Sequence, residues 1–183
     1  MTFDRRRFLA GVGLLCAQKA FGQSAAQSGR PYSSAPTDQE TKAPALPAVG
    51  SFLKLPEVPL LDGSVFSPAQ AEGQVLVIYW WASYCPFCAQ QSPEIQKLWT
   101  AWKDKGLKML TLSFDSKPEL AANYLRKSGF NFPAAWVSPD IQRVMPKPRG
   151  LPITLVRGRA GKLLQAERGQ LFPEDVALLA QWI

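Results

Sequence analysis

The chain has 183 residues and is 46% hydrophobic, with six Trp and ten Phe, so it carries enough apolar side chain to fill one core. Its net charge of +7 is moderate, and the loose basic group Lys147, Arg149, Arg157, Arg159 and Lys162 reads as a solvated face, not as a nucleic-acid site. No apolar run reaches the roughly 18 residues that an ordinary transmembrane helix requires.

Residues 1–22 read as a targeting segment. Asp4-Arg5-Arg6-Arg7-Phe8-Leu9-Ala10 resembles the twin-arginine export signal, and the short apolar stretch Phe8 to Cys16 follows it. Ala20-Phe21-Gly22 is a small-x-small cleavage candidate. Two glycines weaken the apolar stretch and Lys19 lies close to the cut, which suits the twin-arginine route. Leu15 occupies the place before Cys16 where a lipid-anchored signal needs a small residue, so no lipid anchor is read. An exported, periplasmic location follows; an uncleaved signal would tether the protein to the membrane. Residues 23–49 are rich in Ser, Ala, Gln, Pro and Gly without apolar periodicity, the composition of a disordered linker.

The compact domain is expected over residues 50–183. Phe52 to Leu55 and Ser64 to Phe66 flank the turn Leu61-Asp62-Gly63, predicting a hairpin. Gln74 to Trp81 is an apolar, β-branched and aromatic run that reads as a buried strand. Ala89 to Lys105 reads as a helix, with Pro93 inside it and expected to bend it. Leu107 to Ser113 is the next strand, Pro118 to Ser128 a second helix, Ala135 to Val137 a short strand and Pro139 to Met145 a short helix. Pro152 to Arg157 and Lys162 to Gly169 form a hairpin around Arg159-Ala160-Gly161, and Pro173 to Ile183 is a terminal amphipathic helix. Strands alternating with helices and then a hairpin predict an α/β fold with a central mixed sheet flanked by helices.

The stretch that carries chemistry is Trp80-Trp81-Ala82-Ser83-Tyr84-Cys85-Pro86-Phe87-Cys88. Its two cysteines fall where a strand hands over to a helix. Backbone N–H groups at a helix start have no intrahelical partner, and the helix dipole adds partial positive charge there. A thiolate at Cys85 is stabilised by both, which lowers its pKa. Pro86 suits the first helical position, where no N–H is needed. Cys88 lies one turn on, facing inward, within reach of a mixed disulfide at Cys85. A zinc site would need about four ligands, and the chain has no His and only Cys16 besides this pair. A purely structural disulfide closing so short a loop would constrain the unfolded chain little.

Together with Leu61-Asp62-Gly63, Lys105-Gly106-Leu107 and Gly150-Leu151-Pro152-Ile153-Thr154, this stretch resembles the thioredoxin superfamily, and most closely its TlpA/ResA-type exported thiol–disulfide reductases. The resemblance runs from about residue 50 to the end. It implies a thioredoxin fold with an N-terminal hairpin extension, Cys85 and Cys88 as the catalytic pair, and no cofactor. It further implies a cis Leu151–Pro152 bond beside the cysteines, with Leu151 offering its backbone to an extended substrate, and Trp81 packed under the pair. As partners it implies disulfide-containing exported proteins and a membrane thiol donor of the CcdA/DsbD kind. The sequence departs from the family at two places where a buried acid or amide, and a Glu, are usual: Tyr79 and Gln91 stand there, with Glu94 a weak substitute. The same residues would serve a dithiol oxidase or isomerase with the equilibrium reversed. A non-enzymatic copper-site assembly module using two soft thiolates is the third reading.

Overall fold

The computed structural model describes residues 42–183; the segment read as an export signal, Cys16 and most of the stretch read as a linker lie outside the described residues. Five strands form one mixed sheet in the order β5-β4-β3-β6-β7. These are β3 (Val75–Trp81), β4 (Leu107–Ser113), β5 (Ala134–Trp136), β6 (Ile153–Arg157) and β7 (Leu163–Arg168). β3 pairs in parallel with β4 and antiparallel with β6, so it is central, and all seven of its residues are buried. That explains why its sequence is a continuous apolar run without alternation: both faces of the strand are covered.

The two faces carry separate cores. Val75, Val77, Tyr79 and Trp81 point to the side covered by α1 (Pro86–Trp102), α2 (Pro118–Ser128) and α4 (Pro173–Leu178), through Ile95, Leu98, Ala121, Leu125 and Val176. Leu76, Ile78 and Trp80 point to the other side, packed with Val58, Phe66 and Ile141. Ile141 belongs to α3 (Pro139–Val144), whose start is capped by Ser138 Oγ, which accepts the Ile141 N–H. A strand with a two-residue side-chain period thus serves two layers at once.

The N-terminal hairpin exists but its first arm differs from the expected one. β1 (Val58–Pro59) pairs with β2 (Val65–Phe66), whereas Phe52 makes an isolated bridge to Lys162 beside β7. The turn decides this. Asp62 Oδ1 accepts the Ser64 N–H at 2.9 Å and the Ser64 hydroxyl at 2.7 Å, Leu60 N–H donates to Ser64 O, and Gly63 takes φ +88. So tight a turn pairs the residues immediately outside it, and Phe52 to Leu55 are too far away in sequence.

Contacts with the domain also begin inside the segment read as linker. Arg149 N–H donates to Pro44 O at 3.0 Å, and Leu46 packs against the second core. Other boundaries differ as well. α1 begins at Pro86 and ends at Trp102; the helix continues through Pro93. β5 starts one residue earlier than expected, at Ala134. The terminal helix divides into α4 and a 3-10 turn at Leu179–Trp182.

Candidate active site

β3 ends at Trp81 and α1 starts at Pro86, and the four residues between them form a tight corner. Cys85 N–H donates to Ala82 O at 3.1 Å, closing it. Cys85 is the N-cap of α1, in extended conformation, and its Sγ accepts the N–H of Cys88 at 3.2 Å. One of the orphan amides at the helix start is therefore satisfied by the sulfur itself, the interaction that favours an anion there. Pro86 occupies the first helical position.

Cys85 and Cys88 are joined as a disulfide, with Cα atoms 5.2 Å apart. Their surroundings are unequal. Cys85 is 7% exposed and Cys88 is 0% exposed. The neighbours on the surface, Tyr84 and Phe87, are large and exposed. An incoming reagent thus meets Cys85 first, and Cys88 has no exposed surface.

The Leu151–Pro152 peptide is cis. Leu151, half-buried, packs against the same core cluster that contains Cys85 and Cys88. Pro152 O accepts the Gly169 N–H at 2.9 Å, tying the start of β6 to the end of β7. Trp81 is fully buried; its indole N–H donates to Thr111 Oγ1 at 3.2 Å and its ring lies 5.2 Å from that of Tyr124. Its visible role is packing beneath the corner.

At the two positions that depart from the family, the structure shows what the substitutes do. The Tyr79 hydroxyl lies 3.3 Å from Cys88 O and 3.2 Å from Ser92 Oγ. Burial pushes its phenol pKa well up, against a smaller lowering by Ser92, so this group stays protonated. Gln91 is fully buried, and its amide is used at both ends: Nε2 donates to Thr154 Oγ1 at 2.9 Å and Oε1 accepts the Leu171 N–H at 2.8 Å. Glu94 pairs instead with Lys97 at 2.8 Å on the helix surface. No carboxylate on the inner face of α1 takes the place of the missing Glu.

The sequence reading missed Asp115 at the site and took two buried cations for surface charges. Asp115, two residues past the expected strand Leu107 to Ser113, is 5% exposed and grips Ser83. Lys147, read among solvated charges, is 4% exposed, its ammonium donating to Pro148 O at 2.8 Å and Gly150 O at 3.1 Å beneath the Phe114 ring. Arg157 from the same basic group is also buried, donating to Ala71 O and pairing with Glu72. An alternation of Pro and Lys around position 147 carries no periodic signal that would have marked the lysine as internal.

Comparisons with known proteins agree with this geometry. Residues 49–138 match the AhpC/TSA family, a stretch that contains both cysteines and ends before the cis-proline. The thiol–disulfide oxidoreductase ResA of Halalkalibacterium halodurans is 23% identical over 121 residues, covering 63% of this chain and 66% of that protein. The sporulation thiol–disulfide oxidoreductase A of Bacillus subtilis is 26% identical over 51% of this chain and 54% of its own length. The chain thus spans about two thirds or less of these two relatives. Among solved structures, a putative thiol:disulfide interchange protein DsbE from Chlorobium tepidum superposes with a TM-score of 0.63 at 26% identity, covering 74% of this chain and 94% of that one. A thioredoxin-family thiol:disulfide interchange protein from Chlorobium tepidum TLS reaches a TM-score of 0.67 at 18% identity, over 74% and 97% of the two chains. With a disulfide capping the helix that follows the central strand, the chain has the thioredoxin fold of these structures and is similar to the ResA-type thiol–disulfide oxidoreductases.

Proposed function

We propose that this protein is an exported thiol–disulfide oxidoreductase that reduces disulfides in other exported proteins. The observation that supports it most is the inequality of the two sulfurs: Cys85 caps the helix at the surface and Cys88 is sealed behind it. In the dithiol form, the Cys85 thiolate attacks a substrate disulfide, and the departing substrate sulfur takes up a proton. Cys88 then loses its proton and attacks Cys85 Sγ, forming the Cys85–Cys88 disulfide and releasing the second substrate thiol. Two electrons pass from the pair to the substrate. In this reading Leu151, held beside the cis-proline, presents its backbone to the extended substrate strand, Pro86 keeps the helix start in register and Trp81 supports the corner from below.

The resulting disulfide must be reduced again by a thiol donor, for which a membrane protein of the CcdA/DsbD kind is the fitting class. Residues 1–22 would direct the chain through the twin-arginine translocase to the periplasm, already folded. Among the described residues no helix is long and apolar enough to cross a membrane.

Equilibration of the Cys85–Cys88 couple against glutathione tests the direction. A potential on the thioredoxin side, on the order of −270 mV, is expected; one near the roughly −120 mV of strong oxidants would overturn the reductase reading in favour of a dithiol oxidase. A Cys88→Ala variant is expected to accumulate covalent adducts with substrate proteins at Cys85.

A further inference from the structure

β4 ends at Ser113, and two residues later Asp115 turns its carboxylate under the corner that holds Cys85. Oδ1 accepts the Ser83 N–H at 3.1 Å and the Ser83 hydroxyl at 2.6 Å. Oδ2 lies 3.2 Å from the same N–H and accepts the Ser113 hydroxyl at 2.6 Å. Phe114 N–H donates to Trp81 O at 2.8 Å, and the Trp136 indole donates to Asp115 O at 2.7 Å, so the carboxylate is fixed from β3, β4 and β5 together. Ser83 is two residues before Cys85, a span of at most about 7 Å of backbone. A nearly buried anion is therefore latched to the same short corner as the nucleophilic sulfur.

We propose that Asp115 is a positioning residue that also sets the ionisation of Cys85, its negative charge opposing the thiolate that the helix start favours. This rests on the exchange chemistry proposed above. The latch keeps Cys85 at the head of α1, where the Cys88 amide stabilises a thiolate. The charge works the other way, because like charges near one another disfavour the second ionisation. A thiol whose ionisation is opposed leaves less readily and is more nucleophilic once ionised, and its dithiol form is more reducing. The other charged or titratable groups around this end of the sheet are Lys147, engaged by the Pro148 and Gly150 carbonyls; Tyr79, protonated beneath Cys88; Tyr84 at the surface; Lys117 at the start of α2; Arg149 in the loop before the cis-proline; and the Glu94–Lys97 pair further along α1.

Two substitutions separate charge from scaffolding. Asp115→Asn keeps an oxygen for Ser83 and a donor for Ser113 but removes the charge. Ser83→Ala keeps the charge but removes the hydroxyl that partly neutralises it. Both loosen the latch, so a purely structural role moves them in the same direction; a charge effect moves them oppositely. The experiment uses the full chain, reduced, and follows the rate of iodoacetamide alkylation of the Cys85 peptide against pH by mass spectrometry. Asp115→Asn is expected to raise the rate below the midpoint by about threefold, and Ser83→Ala to lower it by about twofold. Shifts in the same direction, or no shift in Asp115→Asn, would overturn the proposal. Should Asp115→Asn not fold, Ser83→Ala is read against ionic strength: a lowered rate that recovers in high salt supports the proposal, and a lowered rate indifferent to salt, or an unchanged or raised rate, refutes it. Alkylation needs no disulfide substrate, so a failure of the exchange reaction leaves this result readable.

Discussion

Gln91 and Thr154 are 63 positions apart in the chain, yet the amide of one and the hydroxyl of the other meet at 2.9 Å inside the protein. The bond joins the second turn of α1, which carries the cysteines, to the second residue of β6, which begins just after the cis-proline. The same side chain accepts the Leu171 N–H, so three segments around the disulfide are held by one neutral residue. Its position is the one where relatives of this family are expected to carry a Glu; here the group is a clamp and not a proton acceptor.

Replacing Gln91 with Ala would leave the Leu171 N–H and the Thr154 hydroxyl without these partners in a sealed site. Stability should fall by about 1–3 kcal/mol, read from the midpoint of a urea titration. The rate of disulfide exchange should fall as well, because α1 and the cis-proline segment would no longer be held in register. An unchanged urea midpoint would show that water or a neighbour takes over the clamp.

Tyr79 governs the alkaline limit. Its phenol pKa is raised in the folded protein, chiefly by burial, relative to an exposed tyrosine near 10. A raised pKa means that folding favours the protonated group. Its contribution is fully present below the unfolded value and is lost as pH climbs above it toward the folded one. The wild-type protein should therefore lose stability above about pH 10, and Tyr79→Phe should lose less over that window. At neutral pH the Phe variant should be weaker by roughly 0.5–1.5 kcal/mol for the lost hydrogen bonding. Denaturant titrations at pH 7 and in the alkaline window check both.

Lys147 holds the loop that leads into the cis-proline. Removing its ammonium in Lys147→Met keeps most of the apolar stem while stripping the Pro148 and Gly150 carbonyls of their donor. A loss of about 1–3 kcal/mol is expected. Hydrogen exchange should accelerate locally at residues 149–151, ahead of any change at β3. Acceleration spread evenly through the sheet would show instead that the lysine supports the whole fold.

The chemistry of this protein was legible because it is local. A strand run, a Cys-Pro-x-Cys corner and a helix lie within thirty residues, and their order alone places one sulfur at a helix start. The cis bond at Pro152 was anticipated only through the resemblance, since no local feature of Gly150-Leu151-Pro152 demands it. What stayed hidden depends on contacts across the chain. Lys147 and Arg157 look like surface charges until the carbonyls that receive them are in place. Gln91 looks like any polar helix residue until Thr154 and Leu171 converge on it. The hairpin arm at Phe52 was misplaced because apolar character marks a strand without naming its partner, and the Asp62–Ser64 turn chose Val58 instead.

The sealing of Cys88 has a consequence for soft cations. A thiophilic ion arriving from solvent finds a single sulfur to hold, since the other has no surface of its own. The one sulfur with any surface, on which an incoming disulfide would land, is thus also the one such an ion meets first.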